Sequence, residues 1–168
     1  MIRDRFLSID PLKCTGCREC ETACSMKHAG KKRSARARIQ VLGDGTGPHD
    51  FHFPVTCQQC TDPPCMAACP KNAIHRDPES GRVLLDDNSC VGCKMCVSAC
   101  PTGAMGFDAD LGIAYKCDLC NGDPQCARVC QPEAVEYEPV EKLPHARMVQ
   151  SASKLYQVIK NQMASPGM

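Results

Sequence analysis

The chain has 168 residues, a formal net charge of +1, no Trp, four Phe and three Tyr, against thirteen Pro and twelve Gly. Near-neutral charge argues against nucleic acid as a main partner, no apolar run reaches the length of a membrane span, and large side chains are too sparse for a conventional packed interior. Sixteen cysteines stand in their place, so the expectation is a domain of ordinary size in which metal binding and folding are one event.

The N-terminal stretch carries no secretory signal, and Asp4 separates Arg3 from Arg5, so no twin-arginine signal is present; a cytoplasmic protein is expected. Phe6-Leu7-Ser8-Ile9 reads as a short extended segment leading into the first cysteine block, Cys14, Cys17, Cys20 and Cys24. Lys31, Lys32, Arg33, Arg36 and Arg38 follow as a basic run, read either as a solvated loop or as a patch that steers an acidic redox partner. Arg38–Val41 and Phe51–Phe53 flank the loop Gly43–Pro48, and Phe51–Val55 leads into the second block, Cys57, Cys60, Cys65 and Cys69. Ala73–Arg76 and Val83–Leu85 enclose Asp77-Pro78-Glu79-Ser80-Gly81, which predicts a β-hairpin. The third block is Cys90, Cys93, Cys96 and Cys100, and the fourth is Cys117, Cys120, Cys126 and Cys130. Short helices are expected after each third cysteine, giving an α+β, ferredoxin-like core of small hairpins and short helices around metal. From Pro144 the pattern changes: Met148, Ala152, Leu155, Ile159 and Met163 recur at helical steps, predicting an amphipathic helix over 144–163. That helix packs either on its own core or on a partner subunit.

Blocks one and three read C-x2-C-x2-C-x3-C, and blocks two and four stretch the second gap to x4 and x5. The unstretched form is the bacterial ferredoxin run, whose fourth cysteine ligates the other cubane of a pair. Three closely spaced cysteines let one tight loop wrap three irons, and Thr15, Gly16, Val91 and Gly92 keep that loop's N–H groups near cluster sulfurs. Proline follows the fourth cysteine at Pro70 and Pro101, whereas Ser25 follows Cys24 and Gln131 precedes Pro132 after Cys130. Four [4Fe–4S] clusters would use all sixteen thiolates. Disulfides would need a secreted chain, zinc favours paired C-x2-C arms on a longer spacer, and a degenerate block would leave a partial set. The five histidines, His28, His49, His52, His75 and His145, are not needed as ligands and read as structural or surface residues. No dinucleotide fingerprint, P-loop or nucleophile–base set is present, so the expectation is no catalytic residue.

"DPLKCTGCRECETAC", "PVTCQQCTDPPCMAACP", "DDNSCVGCKMCVSACP" and "YKCDLCNGDPQCARVC" together resemble the four-cluster electron-transfer subunits of the dimethyl sulfoxide reductase iron–sulfur subunit type. That family includes the small ferredoxin-like subunits of formate, hydrogenase, carbon monoxide and aldehyde-oxidising systems. The resemblance covers residues 5–135, and the opening "CTGCRECETACSMKH" is similar to the small polyferredoxins that accompany tungsten-dependent aldehyde oxidoreductases. It implies blocks over 4–34, 48–79 and 81–110, with a fourth over 112–136 completing the first of two nested two-cluster modules. It also implies a pairing: Cys14, Cys17 and Cys20 with Cys130; Cys117, Cys120 and Cys126 with Cys24; Cys57, Cys60 and Cys65 with Cys100; and Cys90, Cys93 and Cys96 with Cys69. The function implied is a non-catalytic relay between a catalytic subunit, of the tungsten or molybdenum-pterin aldehyde oxidoreductase kind, and another redox partner. The alternatives are a self-associating polyferredoxin that forms a longer conducting chain, and a free soluble ferredoxin.

Overall fold

The computed structural model describes residues 4–30, 36–43, 51–142 and Tyr156. The first three residues of the basic run and, apart from Tyr156, the helix expected over 144–163 lie outside the described residues. In chain order the elements are β1 (Arg5–Ile9), α1 (Glu19–Ala29), β2 (Ile39–Leu42), β3 (Phe53–Thr56), α2 (Pro64–Ala67), β4 (Ile74–Arg76), β5 (Val83–Leu85), α3 (Met95–Ala99), β6 (Gly106–Asp108), β7 (Ile113–Tyr115), α4 (Gln125–Arg128) and β8 (Val135–Pro139). The strands form antiparallel pairs, β1–β8, β2–β3, β4–β5 and β6–β7. This is the mixed, small-element architecture the sequence predicts.

The β4–β5 hairpin lies where Asp77–Gly81 places it, with Ile74 opposite Leu85 and Arg76 opposite Val83. Its turn is fixed by the Asp77 carboxylate, which accepts the Ser80 N–H at 3.1 Å and the Ser80 hydroxyl. Arg76 then ties the hairpin to the second block by donating to Cys60 O at 2.8 Å and Thr61 O at 2.7 Å. In β2–β3 the pairing runs Ile39 to Thr56 and Leu42 to Phe53, nearer the second block than the expected Phe51–Phe53. Alternation explains the shift: this register buries Ile39, Val41, Pro54 and Thr56 together on one face.

Two pairings were not legible. β6 and β7 are three residues each, too short for a period-two signal, and are joined by a turn in which Gly112 N–H reaches Asp108 O at 2.8 Å. β8 reads Val-Glu-Tyr-Glu-Pro, yet it pairs along its whole length with β1, from Arg5 opposite Pro139 to Ile9 opposite Val135. Arg5 secures that edge by lying over the Tyr137 ring at 4.7 Å. The helices also start earlier than expected, one residue before each third cysteine, so Cys20, Cys65, Cys96 and Cys126 sit inside the first turn.

α1 packs on α4, and α2 packs on α3. The two buried cores therefore form between blocks distant in sequence. One joins Cys20, Cys24 and Cys126 with Ile39, Val41 and Val135. The other joins Cys65 and Cys96 with Ile74, Val83 and Met105. Thiols occupy the places that aliphatic side chains fill in an ordinary core.

Candidate metal centres

Each block uses one local device to present its first three thiols. The residue before the second cysteine is left-handed in every block: Gly16 at φ 72°, Gln59 at 51°, Gly92 at 68° and Leu119 at 58°. That turn folds the loop back so that backbone N–H groups meet sulfur. Gln59 N donates to Cys57 Sγ at 3.4 Å and Leu119 N to Cys117 Sγ at 3.4 Å. Further donors arrive from elsewhere, Arg38 N on Cys24 Sγ at 3.2 Å and Val135 N on Cys130 Sγ at 3.3 Å. The fourth cysteine of blocks two, three and four ends in the same turn, with the N–H three residues on returning to its carbonyl: Asn72 to Cys69 O, Gly103 to Cys100 O and Glu133 to Cys130 O at 3.1–3.3 Å. Block one has no such turn because α1 continues through Cys24 to Ala29. Ser25 stands where a proline would cost that helix an intrahelical hydrogen bond.

The cavities collect thiols across blocks. Cys57, Cys60, Cys65 and Cys100 line one, and Cys69, Cys90, Cys93 and Cys96 line another. In the remaining two blocks, Cys20 lies close to Cys17 and Cys130, and Cys126 close to Cys117, Cys24 and Cys120. These sets adjoin in space, through Cys20 beside Cys126 and Cys57 beside Cys117. Cys17 and Cys93 are exposed, whereas Cys20, Cys24, Cys65, Cys96, Cys117 and Cys126 are buried.

Burial pushes the Cys20 thiol up to about 12, with Glu21, Cys130 and Cys17 adding to it. Burial likewise takes Cys117 to about 12 and drives Cys126 strongly upward. Metal-free, these buried sulfurs hold their protons at neutral pH, so binding iron releases protons and depends on pH. Cys69 and Cys100 run the other way: partial burial opposes ionisation, but the amides of Ile74, Lys71, Ala73 and Asn72 around Cys69, and the Thr102 hydroxyl with the amides of Thr102, Ala104 and Met105 around Cys100, hold both thiols below the usual range.

The donor set fits a cluster and not a single ion. A tetrahedral zinc with Zn–S near ~2.3 Å holds its sulfurs about 3.8 Å apart. Among the described residues, which include all sixteen cysteines, the one His, Cys, Asp or Glu trio with ligand atoms within 4.8 Å of one another is His28, Asp118 and Cys120. No cysteine quartet closes that tightly, and each instead rings a cavity or a buried thiol group. All sixteen thiols are free of disulfides. An iron–sulfur cube, with sulfur ligands spread over its corners, suits this spacing.

Two groups of residues carry more than the sequence signalled. Arg36 and Arg38 are internal ion-pair partners: Arg36 meets Asp108 at 3.1 Å, and Arg38 meets Asp118 at 3.0 Å. His28 is a neighbour of a thiol, its Nε2 lying 3.5 Å from both Cys120 Sγ and Asp118 Oδ1. Burial and the Arg38 charge lower the imidazole's pKa. Burial opposes ionisation of Asp118, yet Arg38 and the Cys120 amide hold its carboxyl below the usual range. Lys116 and Gln59 were also missed, although they stand inside the strings "YKCDLCNGDPQCARVC" and "PVTCQQCTDPPCMAACP" that carry the resemblance.

Hairpins and short helices that ring cavities with thiols and N–H donors define a ferredoxin-like iron–sulfur protein. Residues 49–139 match the 4Fe-4S dicluster domain; the protein belongs to that family, in the group of the dimethyl sulfoxide reductase iron–sulfur subunits, and is an electron-transfer protein. It is 40% identical to the aliphatic sulfonate oxidoreductase polyferredoxin-like subunit of Pyrococcus furiosus, over 74% of this chain and 70% of that one. It is 31% identical to the B subunit of anaerobic dimethyl sulfoxide reductase from Escherichia coli, over 80% of its own length and 73% of that subunit. The NADH-dependent phenylglyoxylate dehydrogenase subunit beta of Aromatoleum evansii is 36% identical, over 78% of the present sequence and only 29% of its own length. Among solved structures, the active-site complex BamBC of benzoyl coenzyme A reductase with zinc aligns at a TM-score of 0.47 and 24% identity, over 96% and 98%. Among the described residues, no helix is long and apolar enough to cross a membrane.

Proposed function

We propose that the chain is a non-catalytic relay holding four [4Fe–4S] clusters in two nested modules. The ligand sets are Cys14, Cys17, Cys20 and Cys130; Cys24, Cys117, Cys120 and Cys126; Cys57, Cys60, Cys65 and Cys100; and Cys69, Cys90, Cys93 and Cys96. The observation that carries this is the lining of the two cavities, each with three cysteines of one block and the fourth cysteine of another. Each cluster, when bound, takes up and returns one electron. The thiolates hold iron, the backbone N–H groups on sulfur favour the reduced state, and the hairpins keep water from the buried ligands. Cys17 and Cys93, exposed in the first and last sets, mark the two ends at which redox partners approach. Adjacency at Cys20–Cys126 and Cys57–Cys117, with Cys65 and Cys96 in one buried core, supports a linear order of the four sets between them.

Support for the partner comes from relatives whose names place them as subunits of oxidoreductases. The catalytic partner of this reading is an oxidoreductase of the tungsten or molybdenum-pterin aldehyde type, and the chain passes electrons between it and a second redox protein. Two measurements test the assignment. Anaerobically prepared protein should carry about sixteen irons and as much sulfide per chain. Cys57→Ala and Cys69→Ala should each perturb a different cluster signal by electron paramagnetic resonance; loss of one and the same signal by both would show that the fourth-cysteine exchange does not occur.

A further inference from the structure

Between the second and third cysteine sets lies a closed polar ring. Lys116 and Gln59 are each only 2% exposed. Lys116 Nζ donates to Cys117 O at 2.9 Å and also to Val83 O. Gln59 Nε2 donates to the same Cys117 O at 2.6 Å, and its Oε1 accepts the Val83 N–H at 2.7 Å. β5, the Cys57–Cys60 loop and the start of block four are thus stitched together, and the ammonium is pinned in place. Lys116 forms part of the wall of the cavity ringed by Cys57, Cys60, Cys65 and Cys100, where it is the one cationic residue. An ammonium has three donors, and two of them meet the carbonyls of Val83 and Cys117. The other cavity has lysines too, Lys71 and Lys94, but both are exposed, so water and salt screen them far more than a buried charge.

We propose that Lys116 raises the reduction potential of the cluster held by Cys57, Cys60, Cys65 and Cys100 above those of its neighbours, making this position the electron well of the relay. The inference rests on the ligand assignment proposed above. Reduction adds one electron to a site that four thiolates already make anionic. A fixed cation stabilises the reduced form more than the oxidised one, so the potential rises. The electron arrives from one adjacent cluster and leaves to the other. Gln59 is the positioning residue: it takes the second lone pair of Cys117 O and fixes Val83, the two acceptors that aim the ammonium.

The test is a potentiometric titration followed by electron paramagnetic resonance on the full chain, comparing the parent with Lys116→Met and Lys116→Gln. At a fixed ambient potential, one cluster should show a reduced-to-oxidised ratio at least tenfold lower in both variants, a shift of 59 mV for a one-electron couple. The other midpoints should stay in place and the iron content should be unchanged. Unmoved midpoints at full iron content overturn the proposal. So does loss of a cluster's iron in both variants, which would make Lys116 a purely structural brace. Cys57→Ser and Cys100→Ser in the same background identify the signal. If those two alter different clusters, the ligand assignment fails; if they alter the same cluster but Lys116→Met leaves it unmoved, the lysine proposal fails alone.

Discussion

Gly92→Ala and Gly103→Ala form a matched pair. Both glycines are left-handed, at φ 68° and 66°, and in that region an alanine costs about 1–2 kcal/mol. Their surroundings differ. A Cβ on Gly103 meets nothing within 4 Å, whereas one on Gly92 falls 2.2 Å from the Gly112 carbonyl oxygen in the β6–β7 turn. An unstrained carbon–oxygen contact is about 3.3 Å or longer, so the block-three loop and the β6–β7 turn must part by roughly 1 Å. Forced overpacking costs about 1–3 kcal/mol more. The loop that moves carries Cys90 and Cys93, so the strain falls directly on metal ligands. Gly92→Ala should therefore lose about four irons per chain, one cluster's worth, or lose its cluster absorbance at clearly lower temperature than the parent. Gly103→Ala should keep all its iron. Iron analysis and thermal scans of the cluster absorbance, run side by side, decide the matter. Equal iron and equal transition temperatures for the two variants would refute the reasoning.

Removing iron and sulfide under anaerobic conditions should collapse the far-ultraviolet circular dichroism and expose the chain to protease, because both buried cores are built around thiols; retention of the native spectrum would mean that the aliphatic residues suffice. Deleting 144–168 removes no cysteine, so the shortened chain should keep its iron yet co-purify less with its catalytic subunit. Loss of clusters with that segment would show that it packs on the chain's own core.

Much of the chain was legible because cysteine spacing is a chemical requirement. Blocks one to four, the β4–β5 hairpin and the extended lead-ins at Phe6–Ile9 and Val83–Leu85 could all be read from residue type and turn chemistry. What escaped was long-range. β8 has two glutamates and a proline among five residues, and nothing local makes it a strand; pairing with β1, more than a hundred residues earlier, does. Arg36 and Arg38 belonged to a run that read either as a solvated loop or as a patch steering an acidic partner, yet their partners Asp108 and Asp118 lie far ahead in sequence. Lys116 was invisible for the same reason: a lysine beside a cysteine is ordinarily exposed, and only the fold encloses it.

The glycines carry a subtler lesson. The position before the second cysteine is left-handed in all four blocks, but only blocks one and three have glycine there. If the dihedral alone demanded glycine, Gln59 and Leu119 would be anomalies. The neighbours resolve it. A Cβ on Gly16 would sit 2.5 Å from the His52 ring, and one on Gly92 would strike the Gly112 carbonyl; in these two blocks another part of the chain lies against the loop. At the other two positions the side chain is in use. Gln59 bridges Cys117 and Val83, and Leu119 is buried to 1% exposure. About 1–2 kcal/mol of left-handed strain is offset there by two hydrogen bonds of about 1 kcal/mol each, or by a leucine burial of roughly 1.5–3 kcal/mol. Glycine in these loops therefore reports close approach, and its absence reports a side chain with a task. On that reasoning Gln59→Gly should relieve the backbone yet still weaken the protein, because it removes both bonds that fix Cys117 and Val83, the residues whose carbonyls hold Lys116.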